Sequence, residues 1–134
     1  YFADSETRTV ERQPLDPETG WPSGPSEVWL DLTKKDLIVD GAVTDIYGNL
    51  WIAHWGAGCV TAYAPDGTVV KSISVPGIHA TCPAFGGPNM SSLYCTSATQ
   101  GLTAQAIAAN PLNGMTFLVG NASKGAPEPR ALLE

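Results

Sequence analysis

Basic charge is scarce in this sequence. Seven Lys and Arg stand against thirteen Asp and Glu, the net charge is −6, and no basic cluster exceeds Lys34-Lys35. Nucleic acid and anionic membrane surfaces are therefore poor partners. Apolar runs are short as well. None approaches the roughly 20 residues that a membrane-crossing helix needs, so no such helix is expected. The opening residues, Tyr1 to Arg8, lack the basic and hydrophobic regions of a signal peptide. Cysteine is limited to Cys59, Cys82 and Cys95, which cannot all pair within one chain. None forms a Cys-x-x-Cys pattern, which argues against a structural zinc site and for small buried strand residues in a reducing compartment. Asn89 and Asn121 each open an Asn-x-Ser triplet, read as chance matches because nothing else points to secretion. The expected location is the cytoplasm.

What the sequence does have is turn chemistry. It holds 14 Gly and 11 Pro, with 43% apolar and only 15% charged residues, the profile of a turn-rich all-β protein. Its 134 residues suit one domain. The chain is organised around Val39 to Val70. There, Ala42–Ile46, Leu50–His54 and Cys59–Ala64 lead in turn to Tyr47-Gly48-Asn49, Gly56-Ala57-Gly58 and Pro65-Asp66-Gly67. With Val69–Val75 these predict four consecutive antiparallel strands, since Asp-Gly between apolar segments is a strong hairpin signal. Earlier strands are predicted at Tyr1–Asp4, Thr9–Leu15 and Glu27–Leu32. After residue 79, Thr103 caps a short helix over Ala104–Ala109 that Pro111 ends, and strand Gly114–Val119 follows. The aromatic strands around Phe2, Trp51 and Tyr94 recur at intervals of 49 and 43 residues. That period is the spacing of propeller blades, with approximate units at 1–32, 40–75 and 79–119 and a tail at 120–134.

The same residues carry a resemblance. Asp40-Gly41, Asp45-Ile46-Tyr47-Gly48-Asn49-Leu50-Trp51-Ile52-Ala53, Trp55-Gly56-Ala57-Gly58 and Ala64-Pro65-Asp66-Gly67 resemble the gluconolactonase/regucalcin/luciferin-regenerating-enzyme family. The likeness continues through Thr81–Pro88, Leu93–Ala98 and Gly125–Arg130. It implies about three blades of a six-bladed β-propeller, each a four-stranded antiparallel meander, forming the C-terminal portion of a longer family member. It implies that the complete protein is a metal-dependent sugar-lactone hydrolase, opening a lactone ester to the sugar acid. The partners expected are a sugar lactone, and either the missing N-terminal blades or a second copy of this chain. A non-catalytic propeller binding module, or a fragment inactive by itself, is the alternative.

Asp40 is the candidate catalytic and metal-binding residue. By the resemblance, its carboxylate faces the central channel, binds a divalent cation and helps activate water. Read from spacing alone, Asp40-Gly41 is a turn before a strand. Lactone hydrolysis needs a polarised carbonyl and a nucleophilic water, and a cation serves both needs. Hard oxygen ligands favour Ca²⁺, with Mg²⁺, Mn²⁺ or Zn²⁺ as alternatives. The family's other ligands, a glutamate and an asparagine, lie outside this chain. His54 and His79 read as strand-end or loop residues, with His54 and Trp55 near the channel mouth. Asp45 and Asn49 read as an Asx-stabilised turn rather than a cation loop. Thr96 and Ser97 have no adjacent base. Trp51, Tyr94 and Phe85 are expected to pack between blades. Arg8, Arg12, Lys34, Lys35, Lys71, Lys124 and Arg130 read as solvated surface.

Overall fold

The computed structural model describes residues 1–127. Residues Glu128, Pro129 and Arg130 of the family-like stretch lie outside the described residues, as does the rest of the tail.

Three antiparallel sheets follow one another along the chain. The first joins β1 (Phe2–Asp4), β2 (Thr9–Arg12) and β3 (Glu27–Asp31). The second joins β4 (Ile38–Thr44), β5 (Leu50–Trp55), β6 (Cys59–Tyr63) and β7 (Val69–Ser74) in sequential order. The third joins β8 (His79–Gly86), β9 (Ser92–Ala98) and β10 (Thr116–Val119), with α1 (Ala104–Ala109) between β9 and β10. The described residues are thus all-β with one short α-helix and two 3-10 turns. Thr103 caps that helix through its side chain, which accepts from the Ala106 N–H at 3.1 Å. Four strands per unit hold for the middle sheet alone among the described residues. Among the described residues after β10, none adds a fourth strand to the third sheet. The chain crosses to the middle sheet instead, where Gly125 bridges Asp45 and the Ile46 N–H donates to Lys124 O.

Local chemistry sets the hairpins of the middle sheet. Gly67 takes φ +83°, a region that side chains disfavour, and its N–H donates to Ala64 O at 2.8 Å to close the β6–β7 turn. The first strand differs from expectation. It begins at Ile38 and contains Asp40 and Gly41, because Val39 pairs with His54 and is fully buried. Pairing resumes at Ala42 opposite Ile52, so Asp40 and Gly41 together face Ala53 in a β-bulge.

Burial explains why β5 is a continuous apolar run. Trp51 and Ala53 face the third sheet in a cluster with Val60, Ala62, Ala80, Leu93 and Cys95. Leu50 and Ile52 face the first sheet with Val10, Leu30, Leu32, Val39 and Tyr63. Successive residues point to opposite faces, and both faces of this strand are covered. Trp51 meets Phe85 edge-on across the sheet interface, with ring centroids 5.8 Å apart. Tyr94 does not share that interface. It lies on the open face of the third sheet beside Leu118, while on the first sheet the exposed Phe2 and Val28 stand on either side of Glu11. Among the described residues no helix is long and apolar enough to cross a membrane.

Candidate functional site

The bulge in β4 projects Asp40 into a cleft of about 290 Å³ lined by Ser5, Glu6, Ile38, Asp40 and Trp55. Gly41 makes this placement compatible with the neighbouring sheet. A Cβ at Gly41 would stand 2.7 Å from Thr81 O and 2.8 Å from Cys82 Sγ, so only glycine lets β8 pass so closely. Asp40-Gly41 is therefore part of a strand and not a turn before one.

The Asp40 carboxylate is half-buried, and burial pushes its pKa up, opposed by the N–H of Gly41. The ion pairs among the described residues are Arg8–Asp36 and Arg12–Glu27, and neither involves Asp40. A hard anionic oxygen with no cationic partner suits one ligand of a hard divalent cation. No group of three His, Cys, Asp or Glu able to hold a metal exists among the described residues, so they do not make up a full ligand set by themselves.

Trp55 forms the apolar wall of the cleft and stacks on His79, with ring centroids 4.1 Å apart and planes 16° apart. The buried Nδ1 of His79 has no hydrogen-bond partner among the described residues. His54 is fully buried and turned away from the cleft. Its Nδ1 lies 3.1 Å from Ile38 O and its Nε2 3.2 Å from Tyr63 Oη. The neutral tautomer that donates from Nδ1 and accepts at Nε2 satisfies both contacts. Burial pushes the Tyr63 hydroxyl up to about 12, which keeps it protonated as the donor.

Burial likewise lowers the His54 pKa below its ordinary 6.5, outweighing the contact with Ile38 O. The unfolded chain then binds a proton that the folded chain excludes. The contribution of His54 is full above pH 6.5 and is lost as pH falls below it. The expected result is an unfolding free energy that drops in that window, by up to about 1.4 kcal/mol per pH unit. Urea titrations at stepped pH check this. A His54→Gln variant, less stable throughout, should lose that dependence.

Asp45 behaves oppositely to Asp40. Its carboxylate accepts from the N–H groups of Tyr47 (3.0 Å) and Asn49 (2.9 Å), Asn49 Nδ2 (3.0 Å), Trp51 Nε1 (3.0 Å) and Ser123 Oγ (2.7 Å). Burial works against its charge, but the hydrogen bonds from Trp51, Asn49 and Ser123 outweigh it and hold the pKa down. It is a saturated turn residue, as the Asx reading expected. Thr96 Oγ1 meets Thr81 Oγ1 and Ser97 Oγ donates to Met115 O, so neither hydroxyl faces a base. All three cysteines are free. Cys95 is buried and its thiol is pushed up to about 11 by burial, Cys59 is half-buried, and Cys82, expected inside, is exposed.

Sequence reasoning placed Asp40 and Trp55 near one site but did not find Ser5, Glu6 or Ile38. Ser5 and Glu6 lie in a polar turn 34 or more residues before Asp40. The only local signal was the polar stretch Ser5–Arg8, which reads as a turn between two strands.

Comparison with known proteins gives this geometry a context. Residues 1–99 match the family described as SMP-30/Gluconolactonase/LRE-like region. The crystal structure of a calcium-binding protein, regucalcin, from Agrobacterium tumefaciens str. C58 is similar at 44% identity with a TM-score of 0.95, over 99% of this chain and 45% of that one. Regucalcin of Danio rerio is 36% identical over 95% of this chain and 43% of its own length. Pentonolactonase XacC of Haloferax volcanii is 41% identical over 73% of this chain and 33% of its own. The chain spans less than half the length of each of these relatives. With the motifs around Asp40 inside the matched segment and the fold shared along nearly all of its length, the chain belongs to the SMP-30/gluconolactonase/LRE-like family.

Proposed function

We propose that the protein carrying this chain is a metal-dependent sugar-lactone hydrolase, and that this chain is the C-terminal part of its six-bladed propeller. The observation that carries the reading is Asp40. A half-buried carboxylate with no cationic partner among the described residues lines a cleft, on a strand bulge that only Gly41 accommodates. The names of relatives support the substrate class, pentonolactonase in one case, and the calcium-binding regucalcin supports Ca²⁺ as the cofactor.

In this reading Asp40 is one of several oxygen ligands, the others coming from blades beyond this chain. When bound, the cation polarises the lactone carbonyl and makes water more acidic. The chain's own residues do the rest. Asp40 presents its carboxylate to the cleft, where it is placed to take a proton from water. Ile38 and Trp55 exclude bulk water there. Ser5 donates to Val39 O at 2.7 Å and holds the β1–β2 turn against β4.

The exposed Tyr94 and Leu118 on the third sheet, and Phe2 and Val28 flanking Glu11 on the first, are covered by the remaining blades, or by a second copy of the chain, because exposed apolar side chains grouped on a sheet face mark interfaces. The protein acts in the cytoplasm. The ligand set of the described residues favours a second reading for the isolated chain, that it is catalytically silent without its partner blades.

Lactone hydrolysis by the full-length protein tests the reading. Chelation with EDTA should abolish turnover, and added Ca²⁺ should restore it. Turnover that survives complete chelation refutes the metal-dependent mechanism.

A further inference from the structure

We infer that the Asp40 cleft selects neutral polyhydroxy lactones over anionic ones, with Glu6 at its rim as the specificity-determining residue. This rests on the lactone-hydrolase reading above and adds its substrate class. Glu6 belongs to the turn between β1 and β2, and three ties fix that turn. Asp4 Oδ1 accepts the N–H groups of Glu6 at 2.9 Å and Thr7 at 3.1 Å. Ser5 Oγ donates to Val39 O at 2.7 Å, one residue before Asp40. Arg8 pairs with Asp36. Glu6 and Asp40 therefore line the same cleft, and Ile38 and Trp55 supply its apolar remainder. The one cation of the turn, Arg8, is held by Asp36, and no ion pair among the described residues involves Glu6.

A simple sugar lactone is uncharged and presents hydroxyl donors, which carboxylate oxygens accept. A phosphate or carboxylate on the substrate enters a cleft where charges of its own sign already stand and where apolar walls weaken screening. A divalent cation held by Asp40 and one further carboxylate from beyond this chain would be balanced by those two charges, leaving that of Glu6. Discrimination in the loaded site therefore falls to Glu6.

The test compares gluconolactone with its phosphate monoester at the terminal carbon, using full-length wild-type protein and the Glu6→Gln and Glu6→Lys variants at saturating Ca²⁺. The neutral-to-anionic ratio of kcat/KM should fall from wild type to Glu6→Gln and again to Glu6→Lys, by about tenfold in total and mainly through KM. The wild-type ratio should also narrow as ionic strength rises from about 0.01 to about 1 M. A Glu6→Lys ratio within about twofold of wild type overturns the inference. Turnover of neither lactone overturns the lactone reading and this substrate class with it. Iodide quenching of tryptophan fluorescence, taken as the difference from a Trp55→Phe variant, then still reads the cleft without catalysis. Stronger quenching in Glu6→Lys supports the charge of Glu6 in the cleft, and equal quenching overturns it.

Discussion

Asp40→Asn in the full-length protein should lower lactone turnover by about 100-fold or more while leaving the unfolding transition in place. The two halves of that result come from one geometry. Asp40 has no ion-pair partner among the described residues, so replacing its charge strands no buried cation. The amide is nearly the same size, and its neutrality relieves the cost of half-burying a carboxylate, the cost that raises the Asp40 pKa. The same change removes the anionic oxygen that the proposed cation needs and the group that takes the proton. Turnover at saturating Ca²⁺, measured beside a thermal unfolding curve, checks both halves. Unchanged turnover with added divalent metal refutes the role of Asp40. Lost turnover with a collapsed melting transition would instead assign Asp40 to the fold.

Asp45→Ala should do the reverse, lowering stability by about 3 kcal/mol. Asp45 is 5% exposed and Trp51 is 2% exposed, so the Trp51 Nε1–H loses its acceptor where water does not reach. An orphaned buried donor costs about 1–3 kcal/mol. The lost bonds to Asn49 and to Ser123, 78 residues away, add smaller amounts because those groups are partly hydrated. The lowered pKa gives the same group a pH signature. Its contribution is full above the ordinary 3.8 and is lost as pH falls through the lower folded value. Urea denaturation of wild type and variant at neutral pH reads the loss. A difference under about 0.5 kcal/mol would show that the backbone holds the turn without this carboxylate.

These two aspartates, five positions apart, mark how far the sequence reads on its own. The sequence by itself determined what neighbours along the chain decide. Pro65-Asp66-Gly67 turns β6 into β7, Thr103 caps the helix that Pro111 ends, and Asp45 folds back on Asn49, because each signal acts over a few backbone bonds. Leu50–His54 read as a strand of the meander, and only the structure showed that both its faces are covered. Asp40 was legible through its likeness to a family and not through spacing, which reads Asp40-Gly41 as a turn.

Tertiary structure alone decided the bulge, since an extra residue in a strand exists only relative to a partner, here Val39 on His54 and Ala42 on Ile52. It decided that Gly41 must be glycine, because the atoms that crowd it belong to β8. It turned His54 inward to Ile38 and Tyr63, and it set Tyr94 on an open face. It also carried Ser5 and Glu6 to the cleft of Asp40. Strand propensity is a property of the chain's immediate neighbours. A cleft is a property of how separate sheets pack, and no short stretch of sequence encodes that distance.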